Sequence, residues 1–157
     1  MQKKRNYFFL FTVICSLVLI SFYRDYFFKC INAMLMAWDY EMDYPMPAHL
    51  RFFEQLEYTT VINLKWFFTL SFAFLFYIIS TITIKHLFNN KQYTKITLYA
   101  FLGLITVSAV FMGIGFIINS LSERMYEFAR FLMGIAQSPL ILMILIPAFI
   151  LAEKEKK

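Results

Sequence analysis

Charge is what this sequence has least of. Only 16% of its 157 residues are Asp, Glu, Lys or Arg, against about 25% in ordinary soluble domains. The shortage is concentrated in four runs, Tyr7–Tyr23, Trp66–Ile84, Ile96–Ile118 and Phe131–Ala152, which hold no charged residue at all. An α-helix rises about 1.5 Å per residue, so roughly 20 apolar residues cross a hydrocarbon core about 30 Å thick. Lipid explains such runs better than a water-facing fold does. With no Asp, Glu, Lys, Arg or His inside them, a proton relay or substrate path lacks its usual machinery.

Cysteine and histidine are also scarce, at two residues each. Cys15 falls within the first run and Cys30 beyond it, so a disulfide between them is not expected. His49 and His86 fall on opposite sides of the second run. A metal site needs several converging ligands, so neither a metal, a haem nor another cofactor is expected. A small-residue cleavage site is missing after the first run, where Ser21-Phe22-Tyr23-Arg24-Asp25 is bulky and charged. Apolar residues also continue past Cys15. The run therefore reads as a retained anchor rather than a signal peptide. There is no internal repeat and no low-complexity segment.

What the chain does hold in quantity is aromatic: twenty Phe and ten Tyr, residues suited to lipid-facing surfaces and membrane interfaces. The expected fold is all-α, an integral membrane four-helix bundle forming a single domain over 1–157. Its spans are about 7–23, 66–84, 96–118 and 131–152, with a partly helical extracytoplasmic loop at 24–65. The net charge of +5 raises a nucleic-acid reading, but the basic residues flank the spans in short clusters instead of forming one patch. No nucleic-acid partner is expected; membrane lipid is.

The basic residues act as an orientation signal. The N-terminus, the loop between the second and third spans and the C-terminal tail together carry nine basic and two acidic residues. Residues 24–65 and 119–130 together carry six basic and eight acidic ones. The positive-inside rule then places both termini in the cytoplasm, as a multi-pass protein of the bacterial inner membrane.

Within the loop, Phe27, Phe28, Ile31, Met34, Leu35 and Trp38 recur at helical spacing. This segment either continues the first helix, packs on the other spans or lies in the interface. Asp39-Tyr-Glu-Met-Asp-Tyr-Pro-Met-Pro reads as extended and exposed, since proline disfavours helix in the residue before it. Helix is plausible again over His49–Tyr58, whereas Tyr58–Leu64 is more extended in character. The second and third spans form an antiparallel hairpin. Gly103, Thr106, Ala109 and Gly113 put small residues on one face of the third span, where a helix could approach closely. Pro139 and Pro147 each remove a backbone donor from the fourth span and can kink it.

Candidate partner contacts are Asp39, Glu41 and Asp43 in the loop, and Arg130 and Gln137 at the fourth span. Glu123 and Glu127 precede Arg130 by seven and three residues, which suggests a helical ion pair or a headgroup anchor. Asn119, Gln137 and Ser138 are the notable polar groups at or in the spans, and Gln137 is suited to bonding across helices. An enzyme reading needs a thiol, a base and a cation: Cys30, His49 and Arg51, with Arg124 and Arg130 on the same side. No spacing motif joins them, and the plainer reading is a packed thiol and a surface histidine.

Arg130-Phe131-Leu132, Gln137-Ser138-Pro139-Leu140 and Leu145-Ile146-Pro147-Ala148-Phe149 resemble the ending of small membrane proteins associated with exosortases in Bacteroidetes, of the F or X type. The hairpin Trp66–Tyr99, with Asn89-Asn-Lys-Gln at its turn, is similar to that group too. Ser138 stands here between the Gln and the Pro that adjoin in the family. The resemblance implies a non-catalytic accessory subunit, partnered with an exosortase-like membrane enzyme that processes C-terminal sorting signals. The alternatives are a membrane cysteine enzyme using Cys30 and His49, and a small transport or channel component.

Overall fold

The computed structural model describes residues 2–118 and 122–155, and for residues 2–7 and Ser122 the backbone alone. The chain is all-α. Helix α1 runs Gln2–Asp39, a 3-10 helix Ala48–Gln55, α2 Tyr58–Phe88, α3 Lys91–Ile117, α4 Ser122–Ala136 and α5 Leu140–Glu155. Three stretches, Phe8–Asp39, Tyr58–Phe88 and Lys91–Ile117, are long and apolar enough to cross a membrane. The α4–α5 pair meets the same test as one segment bent by 58°.

Helix α1 has 38 residues, a length of about 57 Å, nearly twice a hydrocarbon thickness. Of the alternatives open for the segment that begins at Phe27, the structure takes the first. Residues 24–39 continue the first helix, and the connection shrinks to 40–57. Two separate cores hold this long rod. Leu17 packs in one with Phe76, Ile84, Phe101, Leu142 and Phe149. Further along, Phe27, Cys30, Ile31, Met34 and Leu35 pack in a second with Leu50, Phe53 and Val61. The second core explains a correction: Tyr58–Leu64 is helical, not extended. β-Branched residues lower helix preference only slightly, and fully burying Val61 against α1 outweighs that.

Phe27 is the hub of the second core. Its ring meets Phe68 at 5.0 Å, Phe53 at 5.8 Å and Phe72 at 6.2 Å between centroids. The 3-10 helix is thus pinned onto α1 and α2 by Leu50 and Phe53, forming a small lobe beyond the apolar spans. Met46 N–H donates to the Glu54 carboxylate at 2.7 Å and closes this connection on itself.

At the other end, α2 and α3 turn sharply through Asn89-Asn90. Asn89 takes the left-handed conformation with φ 48°, which asparagine tolerates best after glycine. Asn90 caps α3, its side chain accepting from Gln92 N–H at 2.9 Å. Phe9 of α1 lies 4.6 Å from His86, and Phe149 of α5 stacks on Tyr93 at 4.2 Å. The start of α1, the α2–α3 turn and the end of α5 therefore share one end of the molecule. The N-terminal basic cluster and the lysine-bearing α2–α3 turn belong to that end, together with Lys154 of α5.

Gly103, Thr106, Ala109 and Gly113 are exposed, and a Cβ on Gly103 or Gly113 would meet nothing within 4 Å. The close helix approach expected there does not occur within this chain. Asn119 lies outside the described residues. Pro147 leaves α5 unbroken.

Replacing Phe27 by Ala is expected to destabilise the protein by about 3–5 kcal/mol in a reversible unfolding titration. Amide exchange should rise first over Ala48–Gln55.

Candidate functional site at the broken helix

The fourth run is two helices because of what Gln137-Ser138-Pro139 does locally. Pro139 has no N–H to continue α4. Ser138 donates its hydroxyl to Ile135 C=O at 2.8 Å and accepts from Leu140 N–H at 3.4 Å. It thereby closes one helix and caps the next, with Pro139 at the first helical position. Met143 N–H to Pro139 C=O, 3.0 Å, is an early bond of the new helix.

Breaking a helix orphans its last carbonyls. Arg24, on α1, collects them: Nη1 donates to Gln137 C=O at 2.9 Å, to Gly134 C=O at 3.4 Å and to Gln137 Oε1 at 3.2 Å. A cation is the favoured charge at a helix C-terminus, where the macrodipole is negative. Nε and Nη2 of Arg24 turn to the Asp25 carboxylate, the only ion pair among the described residues. Only 12% of the Arg24 side chain is exposed. Gln137, 4% exposed, completes the junction by donating Nε2 to Thr69 C=O on α2. The cross-helix bond expected of Gln137 is present. The role of Arg24 was not anticipated, because it is the first charged residue after an apolar run and reads as the start of a loop. Gln137 is the signal that could have found it: an amide in an apolar run, beside a Ser-Pro break, needs a polar partner.

Beside the junction a cleft of about 150 Å³ opens between α1, α2, α3 and α4. Gly134 and Gln137 form part of its wall, Trp66 and Tyr126 flank it, and Lys65 and Arg130 line it with Arg24. Ser108, buried on α3, donates to Ala129 C=O at 2.8 Å and fastens the α3–α4 wall. The suggested ion pairing of Arg130 with Glu123 or Glu127 is not formed; Arg130 faces the cleft instead. Glu127 borders an adjoining hollow, together with Phe131 and Leu140.

The acidic candidates sit at the far end of α1. Met42 N–H donates to Ala37 C=O at 2.8 Å and Glu41 N–H to Trp38 C=O at 3.4 Å, with Glu41 left-handed at φ 53°. This is a Schellman stop, whose left-handed position favours glycine. Asp39 faces the Tyr58 hydroxyl, and Trp38 lies 6.0 Å from the Tyr58 ring. Asp43 is exposed, as are its sequence neighbours Tyr40 and Met42 and, on the 3-10 helix, Phe52.

The enzyme candidates do not form a working set. Cys30 is buried in the second core. His49 stacks on Tyr26, one turn before Cys30, at 5.9 Å, and no hydrogen bond joins His49 to Cys30. Arg51 and Arg124 are exposed. Partial burial, then the nearby Cys30 thiol, push the Tyr44 phenol above its usual value. No group of three or more metal-ligating side chains occurs among the described residues.

In comparisons with known proteins, no family model, curated protein or solved structure matches this chain. Fold and site alone define it: an all-α chain of apolar, membrane-length helices whose last segment is broken around an arginine.

Replacing Arg24 by Met should cost about 1–3 kcal/mol for each orphaned buried carbonyl, read by unfolding in detergent. Coupling to Gln137→Leu in a double-mutant cycle should reach at least about 0.5 kcal/mol. Glu41→Gly is expected to stabilise the protein by about 1 kcal/mol, since it relieves a left-handed non-glycine residue; differential scanning in the same detergent checks this.

Proposed function

We propose that this chain is a non-catalytic accessory subunit of a membrane protein-processing or sorting system. It sits in the bacterial inner membrane as a four-helix bundle with both termini cytoplasmic, and its acidic lobe lies outside. The basic end of the molecule supports this orientation through the positive-inside rule. The second core supports a lobe held rigidly on α1 and α2 beyond the spans.

The observation that carries the reading is Glu41. A negatively charged residue occupies a position where glycine fits best, flanked in sequence by Asp39, Asp43 and the exposed Tyr40 and Met42. Local rules are broken in natural proteins mainly where function requires it. Acids interleaved with exposed aromatic side chains on a rigid lobe suit docking to a protein with a basic, partly apolar face. The partner is an exosortase-like enzyme, a choice supported by the resemblance of the 130–149 segment to exosortase-associated proteins. Arg130 and Gln137, the two other contact candidates, are taken up by the cleft and the junction.

The test is affinity purification from native membranes in mild detergent, with mass spectrometry of what accompanies the chain. One membrane enzyme is expected at about equal stoichiometry. The pair Glu41→Lys and Asp43→Lys should weaken its recovery about tenfold or more, in line with the cost of like charges across an interface. Cys30→Ala should leave recovery intact. A chain that comes out alone sinks the proposal.

A further inference from the structure

We infer that the cleft beside the α4–α5 break is a binding site for an anionic phosphomonoester, at the depth of lipid headgroups. Three basic residues, Arg24, Lys65 and Arg130, face it with a single carboxylate, Asp25, which leaves a net charge of +2. Asp25 is already engaged by Arg24. Arg24 is in turn committed to the carbonyls of Gly134 and Gln137. Among the described residues Lys65 and Arg130 have no ion partner, so these two cations point a positive field into one concavity. Arginine matches the planar spread of phosphate oxygens and lysine adds a point charge.

Depth singles out this cleft from an ordinary surface hollow. Lys65 and Lys85 bracket the charge-free part of α2, twenty residues apart on one unbroken helix. That is about 30 Å, one hydrocarbon thickness. With Lys85 at the basic end, Lys65 and the cleft lie at the opposite boundary, where phosphates sit. Trp66 and Tyr126 on its flanks are the residues that mark such boundaries. The rest of the wall is apolar, with Phe28, Met112 and Met133, as a group attached to an acyl or prenyl chain requires. A volume of about 150 Å³ is roughly ten times what a single water needs, room for a phosphate and its ester linkage. Gly134 opens the wall, since a Cβ there would meet nothing within 4 Å. The site does not depend on the accessory-subunit reading: a chain that purifies without a partner can still hold it.

Native mass spectrometry of the full chain in detergent tests it, with phosphatidic acid and phosphatidylcholine offered at equal concentration, and inorganic phosphate offered separately. One phosphatidic acid per chain should be retained with at least about tenfold preference, as expected for two charge-assisted contacts. Lys65→Gln with Arg130→Gln, and separately Gly134→Leu, should abolish that preference. Gly103→Leu, on the exposed face of α3, should keep it. Both leucine variants improve helix propensity, and an unchanged melting temperature confirms that the cleft, not the fold, was altered. If inorganic phosphate protects the chain from heat and displaces the lipid, the bearer is a free phosphate in the same site. Equal retention of the two lipids with no effect of inorganic phosphate overturns the site, as does a preference that survives Gly134→Leu.

Discussion

Everything at the middle of this molecule turns on the Arg24 guanidinium meeting the end of α4. A helix broken where neighbouring helices pack over it leaves carbonyls shielded from water, and each unmet carbonyl costs free energy comparable to a lost hydrogen bond. One arginine answers the Gly134 and Gln137 carbonyls together, and its remaining charge is balanced by the neighbouring Asp25. Gln137 then extends the arrangement to α2. A break that would otherwise be a defect becomes the point where α1, α2 and α4 are joined, and the cleft exists because these helices diverge around it.

The same residues separate two physical regimes. On one side of the junction the core is built from Leu17, Phe76, Phe101 and Leu142, in helices whose outer faces are apolar. On the other, Phe27 and its aromatic neighbours form a compact core under a surface of acids and tyrosines. Both regimes share α1 and α2 as continuous rods, so neither can shift without carrying the other.

Much of this was legible in the sequence, for a physical reason: hydrophobic runs of membrane length leave few choices. The apolar runs, the α2–α3 hairpin and the gathering of lysine-rich segments at one end all follow from run lengths and charge placement. What was not legible depended on tertiary contact. Val61 looks like a strand former until it has α1 to pack on. Phe27, Ile31 and Met34 carry a helical period in the sequence, but Arg24 and Asp25 end the apolar run, so only the tertiary contacts of the second core decide that the first helix continues through them. The kink at Pro139 could be anticipated, whereas its closure by an arginine more than a hundred residues earlier could not be seen from local pattern. Glu41 shows the converse: only the backbone conformation reveals that an acid stands where glycine would fit.

The length of α1 has a mechanical meaning. From Arg24 to Asp39 the helix extends about 22 Å past the junction, stiff and uninterrupted. Membrane helices are tilted by about 20° on average, and tilting is one way they accommodate bilayer thickness. A tilt of about 10° at the junction would sweep the tip of that arm sideways by roughly 4 Å. The Asp39 tip and the Arg24 junction lie on one uninterrupted helix, so they move together as a single rigid arm.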